Sequence, residues 1–181
     1  INQNNTSWIC AYINNKFGLS LDTRASAIKW AAENGYVHVL QFLVDLGLTI
    51  EDVRSEDNYA LRWSARNGHV HVLQFLVNLG LTMEDARTVD NCAFGWAASA
   101  GHVHILQFLV NFGSTIEDVR SENNYALRRA AENGHVHVLQ FLIDLGLTIE
   151  DARDNNNYAL RRAAANGHIN VLRFLVALRL N

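Results

Sequence analysis

Proline is absent from this sequence, and cysteine and methionine are nearly so, with two Cys and one Met among 181 residues. A chain without proline lacks the residue that breaks helices and punctuates turn-rich β architecture, so helices are favoured. Cys10 and Cys92 stand far apart and follow no metal-ligand spacing. That excludes a disulfide framework and reads as free thiols of a reducing compartment, the cytoplasm. No apolar run is long enough to span a bilayer, and the polar start "INQNNTSW" is no signal peptide. The chain opens on Ile1, as a fragment or a processed chain does. A charge excess of either sign is also missing, with 15 Lys and Arg against 18 Asp and Glu. What is plentiful is apolar residue, at 49% of the chain, which excludes a disordered polyelectrolyte and suffices for a core.

The stretch "NGHVHVLQFLVNLGLTMED", residues 67–85, recurs as "NGYVHVLQFLVDLGLTIED" from Asn34, "AGHVHILQFLVNFGSTIED" from Ala100 and "NGHVHVLQFLIDLGLTIED" from Asn133. A shortened form, "NGHINVLRFLVALRLN", closes the chain. Gly35, Gly68, Gly101, Gly134 and Gly167 are spaced by 33 residues without insertion or deletion. A fixed period of this size marks a solenoid whose units bury their apolar faces on one another.

Each unit reads as two helices. In the second unit Asn58 precedes "YALRWSAR" as a candidate N-cap, and Leu61, Ser64 and Ala65 share one face at helical spacing. Gly68 ends that helix. The next, "VHVLQFLVNLG", is apolar almost all round, with a thin polar stripe of His71, Gln74 and Asn78, and Gly80 as its left-handed C-terminal cap. In the connector, Thr82 and Asp85 have capping-box spacing, which favours a short helical turn over a plain polar loop.

This layout resembles the ankyrin repeat. "NGHVHVLQFLVNLG" matches the second half of that family's pattern at Gly68, His69, Leu73, Leu76 and Gly80. The first half departs from it, with Tyr59-Ala60-Leu61-Arg62 where the family has Thr-Pro-Leu-His. The loss of Pro and His weakens the family's turn but keeps the helix. The "NNYALRRAAENGH" variant resembles the ankyrin repeats of amoeba-infecting giant DNA viruses. The resemblance implies an all-α solenoid of five repeats, at about 22–53, 54–86, 87–119, 120–152 and 153–181. Residues 1–21 form a degenerate capping half repeat, with "SWICAYINNKFGLSL" as a second helix ending at Gly18. At the other end Arg173 and Arg179 replace the repeated Gln and Gly as a partial cap, while Leu175 and Val176 stay apolar.

Eight histidines raise the question of metal. In each pair, such as His69 and His71, the two residues differ by about 200° around a helix, so the rings are expected to diverge. A shared metal needs i, i+3 or i, i+4 spacing. The first His belongs to the repeat pattern and the second to the exposed stripe. No metal, no cofactor and no catalytic residue is expected. The recurring Glu-Asp pairs at 51–52, 84–85, 117–118 and 150–151 read as helix-start acids.

Function is sought where the units differ. The first helices read "SAIKWAAE", "YALRWSAR", "CAFGWAAS", "YALRRAAE" and "YALRRAAA". Opposite their core face lies a stripe of first, fourth, fifth and eighth positions, rich in hot-spot residue types. The candidate binding residues are Trp30, Tyr59, Arg62, Trp63, Arg66, Trp96, Tyr125, Arg128, Arg129, Tyr158, Arg161 and Arg162. Gly95 and Ser99 mark a low spot in it. The variable connectors, such as Ser55-Glu56-Asp57 and Thr88-Val89-Asp90, would form a rim.

Trp30, Trp63 and Trp96 equally suit stacking between neighbouring helices, and the Arg pairs suit a solvated face. The resemblance implies that the stripe floors a concave groove gripping a partner protein, a host protein in the host cytoplasm if the source is viral. From Asn124 on there are seven Lys or Arg and five Asp or Glu, net +2; before it there are eight and thirteen, net −5. An apolar segment followed by an acidic one would fit this gradient. Two other readings stand beside it. Nucleic-acid binding through the Arg and Trp residues is opposed by an isoelectric point near 6.2 and by the acidic rim. Self-assembly would use the C-terminal face of an otherwise monomeric domain.

Overall fold

The computed structural model describes residues 21–178, and among them there are ten α-helices and no strand. They are α1 (Leu21–Asn34), α2 (Val37–Asp45), α3 (Ile50–Arg66), α4 (Val70–Leu79), α5 (Met83–Ala100), α6 (Val103–Phe112), α7 (Ile116–Glu132), α8 (Val136–Asp144), α9 (Ile149–Ala165) and α10 (Ile169–Ala177). Odd-numbered helices stack on one another as an inner layer, and each packs on the even-numbered helix that follows it. The capping half repeat over 1–21 and Arg179 fall almost wholly outside the described residues, as do the side chains of Cys92 and the 88–90 connector.

The layers divide the core by residue size. The inner helices meet through alanines with no solvent exposure, Ala31, Ala65, Ala97, Ala98, Ala130 and Ala131, whose single methyls let the backbones approach closely. The outer helices supply volume through Leu40, Leu73, Leu76, Ile105, Leu106, Leu109, Leu139 and Leu142. Each such side chain contributes roughly 2–3 kcal/mol on burial. The polar stripe is real: His71, Gln74 and Asn78 are exposed, and Gln74 Nε2 donates to Asn78 Oδ1 at 3.2 Å.

The connectors are helical turns, each opened by a full capping box. Thr49, Thr82, Thr115 and Thr148 accept from the backbone N–H of Asp52, Asp85, Asp118 and Asp151, whose carboxylates accept from the threonine N–H. After one turn, three of them break in the same way. Glu56, Asp57 and Asn58 are all left-handed, with φ between 51° and 57°, and so are Glu122 to Asn124 and Asn155 to Asn157. Asn and Asp tolerate this region best, which explains connectors so rich in them. It also corrects the role expected of Asn58. An N-cap residue is extended, whereas Asn58 has φ 56° and ψ 42°, is buried, and donates its amide to the Asp85 carbonyl at 3.2 Å.

Two seams join successive units. At the connector end, Arg54 grips Asp85 of the next unit through two bonds of 2.8 and 3.1 Å. Arg87 grips Asp118 at 2.9 and 3.1 Å, and Arg120 grips Asp151 at 3.1 and 3.2 Å. At the other end, the repeated Asn-Gly-His reaches back one unit. Asn67 Nδ2 and His69 Nε2 both donate to the Glu33 carbonyl, at 2.8 and 2.9 Å. Asn133 and His135 share the Ser99 carbonyl, and Asn166 and His168 that of Glu132. These carbonyls close inner helices and have no partner within them, so the next unit supplies one.

Each histidine ring also lies against a glycine of the preceding unit, so that a methyl added at Gly101 would sit 2.8 Å from His135 Nδ1. One pair of rings does not diverge as the helix angle implies. His102 and His104 lie 5.5 Å apart, because His102 is the residue before α6 and not part of it. Burial first, and then His104, hold the His102 pKa below the usual histidine value.

In the fifth unit, among the described residues, Arg153 pairs with its own Glu150 at 3.9 Å, and nothing lies within 4 Å of a methyl added at Gly167. Leu160 is 37% exposed where Leu61 and Leu127 are buried, and Val176 is 54% exposed while Leu175 is buried.

Candidate functional site

Inner-helix stacking brings the candidate residues into one continuous wall, because equal positions on stacked helices adjoin. At its start Trp30 is 54% exposed and packs on Tyr36, which sequence reasoning did not include, at 4.8 Å between ring centroids. Lys29 pairs with Glu56 and lies over the Tyr59 ring at 5.0 Å. Tyr59 stacks on Trp63 at 5.4 Å, and Trp63 on Trp96 of the next unit at 6.3 Å. The Arg66 guanidinium sits over both indoles, 4.6 Å from each. Interhelix stacking thus involves Trp63 and Trp96, while Trp30 turns to Tyr36.

The second half is built from arginine and tyrosine. Arg128 lies between Tyr125 and Tyr158, at 5.8 and 5.1 Å. Arg129 binds Glu132 at 2.7 Å, and Arg162 approaches the same carboxylate at 3.7 Å. Arg162 Nε also donates to the Tyr158 hydroxyl at 2.9 Å. Arg161 is exposed on α9, the last of the inner helices.

The arginines therefore do two jobs. Arg62 donates to the Glu56 carbonyl at 3.1 Å, and Arg128 to the Asn123 and Glu122 carbonyls at 2.8 and 2.9 Å. Both clamp the left-handed connector of their own unit. Arg161 and Arg162 are exposed and Arg66 and Arg129 half-buried, and none of the four reaches a connector carbonyl among the described residues. The sequence did not separate these roles, because the clamped carbonyls belong to backbone whose left-handed course leaves no residue pattern.

The expected low spot splits in two. Its Gly95 half is filled: a Cβ there would lie 2.4 Å from the Tyr125 ring. A mid-helix glycine costs about 0.5–1 kcal/mol against alanine, so the close ring explains its presence. Gly95→Ala is expected to lower the melting temperature despite its better helix propensity, by roughly 2–6 °C. The loss should be relieved when Tyr125 is also replaced by alanine; equal losses in both backgrounds would show the contact to be irrelevant.

Its Ser99 half stays open. A pocket of about 270 Å³ lies over it, lined by Arg66, Trp96, Ser99, Ala100, Arg129 and Asn133. Asn133 Nδ2 donates to the Ser99 hydroxyl oxygen at 2.9 Å, and no acceptor takes the Ser99 proton among the described residues. Arg66 likewise makes no ion pair among them. Asn133 escaped the sequence reading because it belongs to the recurring Asn-Gly-His and looks purely structural.

No group of three or more metal-ligating side chains exists among the described residues, and no helix among them is long and apolar enough to cross a membrane. Residues 79–152 and 94–181 match a family model for ankyrin repeats in three copies, and residues 28–77 match one for ankyrin repeats in many copies. No curated protein matches the chain.

Proposed function

Because the chain belongs to the ankyrin repeat family, whose members are protein-interaction modules, we propose that the inner wall from Trp30 to Arg162 is its protein-binding surface. The supporting observation is the continuity of that wall. Lys29 reaches the Tyr59 ring, Tyr59, Trp63 and Trp96 stack across the second and third units, the Tyr125 ring lies against Gly95, and Arg128 and Arg162 join the fourth unit to the fifth. Aromatic and Arg clusters of this kind carry most of the energy in protein interfaces. The aromatic half takes an apolar segment of the partner and the Arg129–Arg162 half an acidic one. The partner is a host protein if the giant-virus likeness of the unit sequence reflects the source.

The nucleic-acid reading is weaker, because Glu56, Asp57, Glu122 and Asp154 are exposed along the connectors beside the wall. A polyanion would have to run past them.

The test is a pull-down with the intact domain, followed by affinity measurement on the protein it identifies. Arg66→Glu combined with Arg162→Glu should weaken binding at least about tenfold, at unchanged helicity and melting temperature. Gln74→Glu with Gln107→Glu on the outer face should not. Loss on the outer-face variant alone would move the binding surface off the wall.

A further inference from the structure

We propose that the pocket over Ser99 is a subsite for one carboxylate side chain, Asp or Glu, of the bound partner. The inference rests on the protein-binding reading and adds to it what that partner must carry.

The chemistry comes from three groups. The Arg66 guanidinium has its face covered by Trp63 and Trp96, so its N–H donors, which lie in the guanidinium plane, are the part left to bind. Among the described residues it has no counter-charge. Arg129, on the far wall, is already neutralised by Glu132 at 2.7 Å, so Arg66 is the anchoring cation. Ser99 accepts from Asn133, which leaves its own proton to donate into the pocket. A fixed guanidinium edge with a hydroxyl donor matches the two oxygens of a carboxylate.

The arrangement is peculiar to the middle unit. The equivalents of Ser99 are Glu33, Arg66, Glu132 and Ala165, none of which combines small size with a hydroxyl. A site that occurs once along the solenoid admits one isolated anion; a strand of phosphates would need it repeated.

The probe is N-acetyl-glutamate N-methylamide, with the glutamine analogue as its neutral isostere, titrated into the full chain. The readout is the Trp96 indole and Ser99 amide resonances. The glutamate compound should shift both with millimolar-range affinity, and the glutamine compound should bind about tenfold more weakly. Arg66→Gln should abolish the shifts and Ser99→Ala should weaken them, whereas Arg173→Gln, on the exposed face of the outer helix α10, should leave them intact in an equally folded protein.

Equal shifts with both compounds, no shifts, or indifference to Arg66→Gln would overturn the assignment. So would tighter binding of inorganic phosphate, or of an oligothymidylate with a steep salt dependence. The two readings fail separately. A partner lost with the wall variant while Trp96 ignores glutamate removes only the subsite. A partner indifferent to the wall variant removes the protein-binding reading.

Discussion

Gly101→Ala is expected to destabilise the domain by about 1.5–3.5 kcal/mol, although it adds one methyl group. Gly101 has φ 83°, in the left-handed region where an L-residue with a Cβ costs roughly 1–2 kcal/mol. The new methyl would also lie 2.8 Å from His135 Nδ1 and 2.9 Å from Cε1. The ring must swing, which strains its 3.0 Å bond to the Ser99 carbonyl. Losing such a bond adds about 0.5–1.5 kcal/mol. At about 2–4 °C per kcal/mol for a domain of this size, the melting temperature should drop by roughly 3–14 °C.

Gly167→Ala supplies the control, since its φ is 74° but nothing lies within 4 Å of the added methyl. It should show the backbone cost alone. Identical losses at the two sites would mean that the histidine contact has no energetic role.

The second large effect is expected at Asp118. This carboxylate closes the capping box with Thr115 and accepts the two-pronged grip of Arg87 at 2.9 and 3.1 Å. It is buried, so Asp118→Ala removes a helix cap and leaves Arg87 without its inter-unit partner. A cost of about 2–3 kcal/mol follows from the cap and the charge-assisted bonds together. Urea titration by circular dichroism should register it, and Asp118→Asn should recover part of the loss by keeping an acceptor.

Acid acts on the same contacts. Burial pulls the Asp118 carboxyl up, but the bonds from Arg87 and Thr115 outweigh it and leave its pKa below the ordinary value. The Arg54 bond lowers that of Asp85. A carboxylate with a depressed folded pKa contributes stability that is whole above its unfolded pKa, about 3.9, and is lost as pH falls through the folded one. His102 works in the same direction. Its lowered pKa means the fold holds the neutral ring, so stability declines as pH drops below about 6.5. A first shallow loss near the histidine range and a steeper one at carboxylate pH are expected. The first should vanish in His102→Gln, and a loss that persists there would assign it to another group.

The helices, their order and the outer polar stripe were legible because period and amphipathicity are written in every unit. The capping boxes were legible as spacing. Asn58 misled because Asn suits both an N-cap and a left-handed residue, and one sequence does not say which. The two jobs of the wall arginines were hidden for a related reason: Arg62 and Arg66 look alike in "YALRWSAR", but only Arg62 reaches its own connector carbonyl. The seams were half legible. Asn-Gly-His could be seen to recur, whereas the pairing of Arg54 with Asp85 spans 31 residues and emerges only once the units are stacked.

Being pinned at both ends, by an arginine grip on one edge and a histidine on the other, α3, α5, α7 and α9 have little freedom to tilt or slide against one another. The wall thus behaves as a ruler whose graduations are set before any partner arrives. A segment whose side chains repeat at a different step cannot be accommodated by flexing the domain; it must distort itself. One that matches meets a surface that loses little entropy on contact, and its selection rests on spacing as much as on side-chain type.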